Sequence, residues 1–200
     1  MPKRSLTAAF IAEAALRLGD RDGQAAMSMR RIAAELGCDP MAIYRHFPNR
    51  EALLDAVADL ALAGVTVPPP SVSWDDRVRE ILTSVRAEAL RHPGIAAHVS
   101  ARPPLGPHGL RLAAELNRAL AESGLSPTGV VHAGQALIAY VAAALAMAVN
   151  AGVRDERWHR VSRALTGLPG EELPVVGSPE QFRYGLRLMI NGIRAEPDRD

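Results

Sequence analysis

Arg30, Tyr44, Arg45, His46 and Arg50 fall close together in this chain, a grouping suited to holding phosphate oxygens and base edges rather than to covalent chemistry. A guanidinium forks onto phosphate or guanine with paired hydrogen bonds, which an ammonium cannot do. The sets that an enzyme would need are missing. Lys3 is the only lysine, so the body of the chain has no residue for a Walker-type phosphate grip or a Schiff base. No G-x-G-x-x-G, G-x-S-x-G, H-E-x-x-H or C-x-x-C occurs. His46, His92, His98, His108, His132 and His159 lack a neighbour at i+3 or i+4 with metal-ligand character. The residues therefore predict no enzyme, no cofactor and no metal site.

The elements that must carry those side chains are legible between Ser28 and Leu54. Ile32, Ala33 and Leu36 make an apolar stripe behind a Ser28 N-cap, and Gly37 supplies the positive φ that ends this first short helix. Asp39 followed by Pro40 is an N-cap with a first-turn proline, opening a second short helix over roughly Pro40 to His46. Ile43 and Phe47 point inward. Pro40, Met41, Ala42, Tyr44, Arg45 and His46 are left outward, a small and partly apolar face suited to thymine methyls and close approach to bases. Asn49 then caps a third helix through Leu53, Leu54, Val57 and Leu60, predicted to reach Gly64. This is the spacing of a helix-turn-helix, with Arg30 and Arg50 flanking the exposed helix where they can reach phosphates on either side of a groove.

From about Leu6 to Leu54 the chain resembles the DNA-binding domain of the tetracycline-repressor (TetR) family. The likeness rests on Arg30, on Leu36-Gly37, on Tyr44-Arg45-His46-Phe47, on Pro48-Asn49-Arg50-Glu51 and on Leu53. It implies that Pro40, Met41 and Ala42 meet bases while Tyr44 and His46 touch the DNA backbone. With no Gln or Asn on the outer face, specificity is expected to lean on Arg45, Arg30, methyl contacts and DNA shape.

The whole chain fits such a reader only when its charge is divided. Its 200 residues are 48% hydrophobic with formal net charge +1, yet residues 1 to 50 alone carry +3 and the remainder −2. Cys38, the one cysteine, allows no intramolecular disulfide, fits a reducing cytosol and reads as a small apolar plug under the turn. No apolar h-region follows the N-terminal basic residues. The longest apolar run, Ala136 to Val149, is 14 residues and half alanine, too short to span a bilayer. A cytoplasmic protein with no membrane partner is the expectation.

Helical periodicity recurs throughout, and no strand signal competes with it. A helix from Leu6 to Leu18, stopped by Gly19, precedes the helix-turn-helix, and Val67-Pro68-Pro69-Pro70-Ser71 divides residues 1–66 from 67–200. Beyond the prolines, a helix starts on a Ser73-to-Asp76 capping arrangement and runs to His92. Others cover Gly94 to Ala101, Leu110 to Glu122, Pro127 to Asn150, Glu156 to Leu165 and Ser178 to Ile193, with a loop from Leu168 to Gly177. The fold class is all-α, a three-helix helix-turn-helix domain followed by a helical ligand-binding and dimerisation domain. The apolar Ala136 to Val149 run and a stripe of Phe182, Leu186, Met189, Ile190 and Ile193 are expected to form the dimer as a four-helix bundle.

The second half also resembles the tetracycline-repressor branch itself, through Trp74, His98 and Ala101-Arg102-Pro103 before a long amphipathic helix. It departs where Ile81, Val85 and Thr66 replace that branch's drug-orienting polar groups. The resemblance implies a cavity lined by Ile81, Val85, Val99, Tyr140 and Met147, with His98, Arg102 and Gln135 as its polar members. His98 is read as an ordinary pocket or interface histidine, not a metal ligand. The reading is a homodimeric repressor of a palindromic double-stranded DNA operator with a largely apolar small-molecule inducer. The competing reading is a helical small-molecule-binding protein or enzyme that retains the head.

Overall fold

The structure is a computed structural model and describes residues 6–150, 156–164 and 175–196. Among the described residues the chain is all-α: α1 Ala8–Asp22, a 3-10 turn Gln24–Ala26, α2 Met29–Leu36, α3 Pro40–Tyr44, α4 Arg50–Leu60, α5 Trp74–Arg91, α6 Pro93–Ala101, α7 Pro107–Leu120, α8 Pro127–Asn150, α9 Glu156–Ala164 and α10 Pro179–Ala195. The loop expected from Leu168 and the end of the ninth segment at Leu165 fall mostly outside the described residues.

Each helix of the head starts on a side-chain oxygen that takes an otherwise orphaned amide. The N–H of Phe10 donates to Thr7, that of Arg31 to Ser28, that of Met41 to Asp39 and that of Ala52 to Asn49, at 2.7–3.3 Å. α2 closes on Gly37 at φ 63°, with the Cys38 N–H donating to Ala33 O and the Gly37 N–H to Ala34 O. Inside, Ile11, Leu18, Ile32, Ile43 and Leu53 are fully buried.

α1 does not stop at Gly19. It continues to Asp22 and ends at Gly23, φ 82°. Gly19 has a different use: a Cβ there would meet the Met27 sulfur at 2.8 Å, and a Cβ on Gly94 would lie 2.2 Å from the Gly19 carbonyl oxygen. The start of α6 thus rests on the backbone of α1, and His92 Nδ1 sits 2.8 Å from Asp20 Oδ2 beside it. One apolar cluster runs from Ile11 through Leu54, Ile81, Ile95 and Val99 to Leu145, so head and body share a core. A second gathers Val78, Leu82, Leu116, Leu137, Phe182, Leu186 and Ile190 from α5, α7, α8 and α10.

Three further expectations are corrected. Ser73 does not cap α5 through its side chain, because its hydroxyl donates to Asp76 Oδ2 at 2.9 Å. The α10 stripe proposed for the dimer is an inner face: Phe182, Leu186 and Ile190 are at most 2% exposed, stacked against the protomer's own α5 and α8. The Arg86 guanidinium, 5.3 Å over the Phe182 ring, donates to Gly177 O at 2.6 Å and pins that face to α5. Lastly, α8 is apolar well before Ala136. The span Pro127–Val149 is 23 residues and holds an 18-residue window of mean hydropathy 1.7, long and apolar enough by length and composition to cross a membrane. Gln135 interrupts the apolar run, but one amide does not break a helix that has no Asp, Glu, Lys or Arg.

The Gly19 and Gly94 approach leaves no room for relaxation, since the obstructing atoms are backbone. Gly94→Ala is expected to lower unfolding stability by about 1–3 kcal/mol, the usual penalty of overpacking, read as a shifted urea midpoint.

Candidate nucleic-acid interface and effector cavity

α3 presents the outer face that the sequence predicts. Met41 is 64% and Tyr44 45% exposed, Arg45 and His46 are exposed, and Pro40 and Ala42 are half-buried beside them. Ile43 and Phe47 hold the helix down. Arg30 is exposed on α2. Among the described residues, Arg30 and Arg45 enter no ion pair and no side-chain hydrogen bond, so both guanidinium groups face solvent with all their donors free.

The other head arginines are occupied. Arg21 forks onto Glu35 at 3.0 and 3.2 Å, and Arg31 reaches Asp22 at 2.6 Å, tying α1 to α2. The Arg21 hydrogen bond holds the Glu35 carboxyl below its ordinary range. Arg50 is turned inward: its Nε donates to Met27 O at 3.0 Å and its Nη2 to Gln24 O at 3.1 Å. Gln24 O also accepts from the Met27 N–H that closes the 3-10 turn, so Arg50, from the first turn of α4, adds a second donor there and clamps the turn after α1.

The body holds an apolar cavity of about 160 Å³ between α5, α6, α7 and α8. Ile81, Val85 and Val99 line it, as expected. Leu62, Leu82, Pro103, Pro104, Leu105, Gly109, Leu110, Leu112, Ala113, Leu116, Ile138, Val141, Ala142 and Leu145 complete the wall, none with a hydrogen-bonding side chain. Ile138, Val141, Ala142 and Leu145 stand at i, i+3, i+4 and i+7, a spacing that would have found them in the sequence.

The remaining expected members lie elsewhere. His98 Nε2 is 2.8 Å from Asp55 Oδ1, and Arg102 pairs with Glu51 and, at 3.2 Å, with Asp55. Both side chains are drawn to α4 and away from the cavity. Gln135 is exposed and Met147 is 47% exposed on the outer side of α8. Tyr140 faces α10, stacked on Phe182 at 5.7 Å with its hydroxyl donating to Phe182 O at 2.9 Å, and burial raises its pKa. No three His, Cys, Asp or Glu side chains converge as a metal site among the described residues.

Residues 11–57 match the family described as bacterial regulatory proteins, tetR family, and residues 67–196 match the tetracyclin repressor-like C-terminal domain. An HTH-type transcriptional regulator of Saccharopolyspora erythraea is 35% identical over 140 residues, covering 70% of this chain and 59% of that protein. A second regulator, the Streptomyces coeruleorubidus repressor DrrR1, is 30% identical, and the chain again spans only 61% of its length. Among solved structures, Streptomyces coelicolor ActR in complex with actinorhodin superposes with a TM-score of 0.81 at 30% identity, covering 96% of this chain and 97% of its own. BioQ with its double-stranded DNA operator gives 0.72 at 28%, covering 96% and 100%.

The head arginines thus divide into engaged ones, Arg50 among them, and free ones. Arg50→Ala should cost about 1.5–3 kcal/mol of stability, the range for hydrogen bonds to charged groups, and Arg45→Ala less than about 0.5 kcal/mol. Urea unfolding of the two variants checks this; equal losses would place Arg45 in the fold.

Proposed function

The chain belongs to the tetR family of bacterial regulatory proteins, and from that premise we propose that it is a cytoplasmic transcriptional repressor, binding a palindromic double-stranded operator as a homodimer and releasing it when an apolar small molecule enters the body. Residues 1–66 are the DNA-binding domain in this reading and residues 67–200 the ligand-binding and dimerisation domain. The observation that carries it is the outer face of α3, where Met41, Tyr44, Arg45 and His46 stand exposed beside a free Arg30. The operator-bound BioQ structure and the actinorhodin complex of ActR lend it support from two relatives.

Arg45, on the helix itself, is positioned for a base edge, and Arg30, on the neighbouring helix, for phosphate. Arg30→Ala should lower the log–log salt slope of binding by about 0.9, one phosphate's worth of counterions. Arg45→Ala should cost about 1–3 kcal/mol and relax discrimination at one base pair. A duplex selected from a random pool, titrated by fluorescence anisotropy at several salt concentrations, measures both. Unchanged slope and unchanged discrimination would take this face off the DNA.

Two heads read successive grooves only when held about 35 Å apart, which requires a second copy. The outward sides of α8 and α10 support that arrangement: Val131, Met147, Tyr184 and Leu188 are large, apolar and 47–57% exposed. Large apolar patches of this kind mark interaction surfaces. Leu188→Glu buries nothing within the protomer, so the fold should survive while light scattering shows a monomer. A dimer of unchanged affinity would move the interface elsewhere.

The effector is largely apolar because the cavity wall offers carbon alone. A ligand rich in hydroxyl and carbonyl groups would leave each buried one unmatched, at about 1–3 kcal/mol apiece.

A further inference from the structure

Three carboxylates of α4, Glu51, Asp55 and Asp59, stand at i, i+4 and i+8 and make one ridge along the helix. All three grip the segment that walls the cavity. Glu51 and Asp55 take Arg102, and Asp55 also takes His98. Asp59 is the buried member, 5% exposed, accepting from the backbone N–H of Gly109 at 2.8 Å and of His108 at 3.2 Å.

α7 thus receives its cap from another helix. Its own N-cap residue, Gly106, has no side chain to supply, and Pro107 fills the first turn. Gly106 is also required for the approach, since a Cβ there would lie 2.4 Å from the Asp59 carboxyl carbon.

The wall of the cavity between His98 and Gly109, with Val99, Pro103, Pro104 and Leu105, is therefore tied at both ends to one helix. That helix is rooted in the DNA head by Leu53, Leu54 and Val57 and by Arg50. The two ties differ in stiffness. Solvent screens the Arg102 pairs, whereas the buried Asp59 carboxylate is held, among the described residues, by the two amides. The cavity, about 160 Å³, is well below the roughly 300–1,000 Å³ of pockets for drug-sized ligands. A two- or three-ring effector must push the wall outward.

Resting on the reading of this cavity as the effector site, we infer that Asp59 is the joint between cavity and DNA head: displacement of the wall moves the start of α7, and Asp59 carries that movement into α4. It is a positioning residue, touching neither DNA nor effector.

The test compares the affinity of the neutral fluorophore N-phenyl-1-naphthylamine for free protein and for protein on its selected duplex. In the wild type, bound duplex should weaken the fluorophore by roughly 5- to 150-fold, the range of allosteric coupling. Asp59→Ala should leave each separate affinity within about threefold but bring that ratio to within about twofold of one, while Glu51→Ala keeps it. Gly106→Ala, which forces the carboxylate off its amides from the other side, should act as Asp59→Ala does and serves in its place if that variant does not fold. A wild-type ratio retained in the folded variants overturns the joint and leaves the effector reading standing. A wild type that does not take up the fluorophore, or takes it up equally with and without duplex, overturns the effector reading and the joint with it.

Discussion

At Gly19 and Gly94 the backbones of α1 and α6 meet with no side chain between them, and a Cβ on Gly94 would lie 2.2 Å from the Gly19 carbonyl oxygen. Much of the architecture follows from that approach. α6 lies wedged against α1 and α4 on one side and α8 on the other, so the apolar cluster of the head continues through Ile95 and Val99 to Leu145. A shared core makes the orientation of the head a property of the body's packing. Packed interiors rearrange between discrete states and do not bend smoothly, so a change in the body reaches the head as a shift of whole helices.

The polar groups around the cavity are arranged by the same economy. His98 and Arg102 lie on α6 and just after it, within reach of the cavity by sequence position, yet both turn toward the Glu51 and Asp55 carboxylates. The Arg102 guanidinium inside an apolar wall would lose hydration with nothing to replace it, whereas on the α4 ridge it keeps water and gains a counter-charge. The cavity is left apolar because the acidic ridge holds both of the nearby polar side chains.

What was legible in the sequence follows the range of the interaction responsible. Ser28, Gly37, Asp39 and Asn49 act within a few residues, so the helix-turn-helix and the outward side chains of α3 could be read almost residue by residue. Gly19 has the local signature of a helix end, yet its role is a contact with Gly94, invisible to any local pattern. The Phe182 to Ile190 stripe has the right period for either an internal core or a dimer seam, and only the placement of α5 and Arg86 distinguishes them. Gln135, Tyr140 and Met147 were assigned to the cavity by resemblance. Their places on α8 follow from its rotation, which is set by packing through Leu137, Val141 and Leu145.

Net charge proves a poor guide to the anion-binding side of such a head, because it counts cations that are already spoken for. Arg17 faces Glu13, Arg21 faces Glu35, Arg31 faces Asp22, and Arg50 faces two carbonyl oxygens. Among the described residues of the head, subtracting them leaves Arg30 and Arg45, both around α3. The paired arginines set the mutual angles of α1, α2 and α4, and those angles decide where the two unpaired ones point. A modest positive balance is thereby concentrated on one face, whose donors have no internal competitor for an anion.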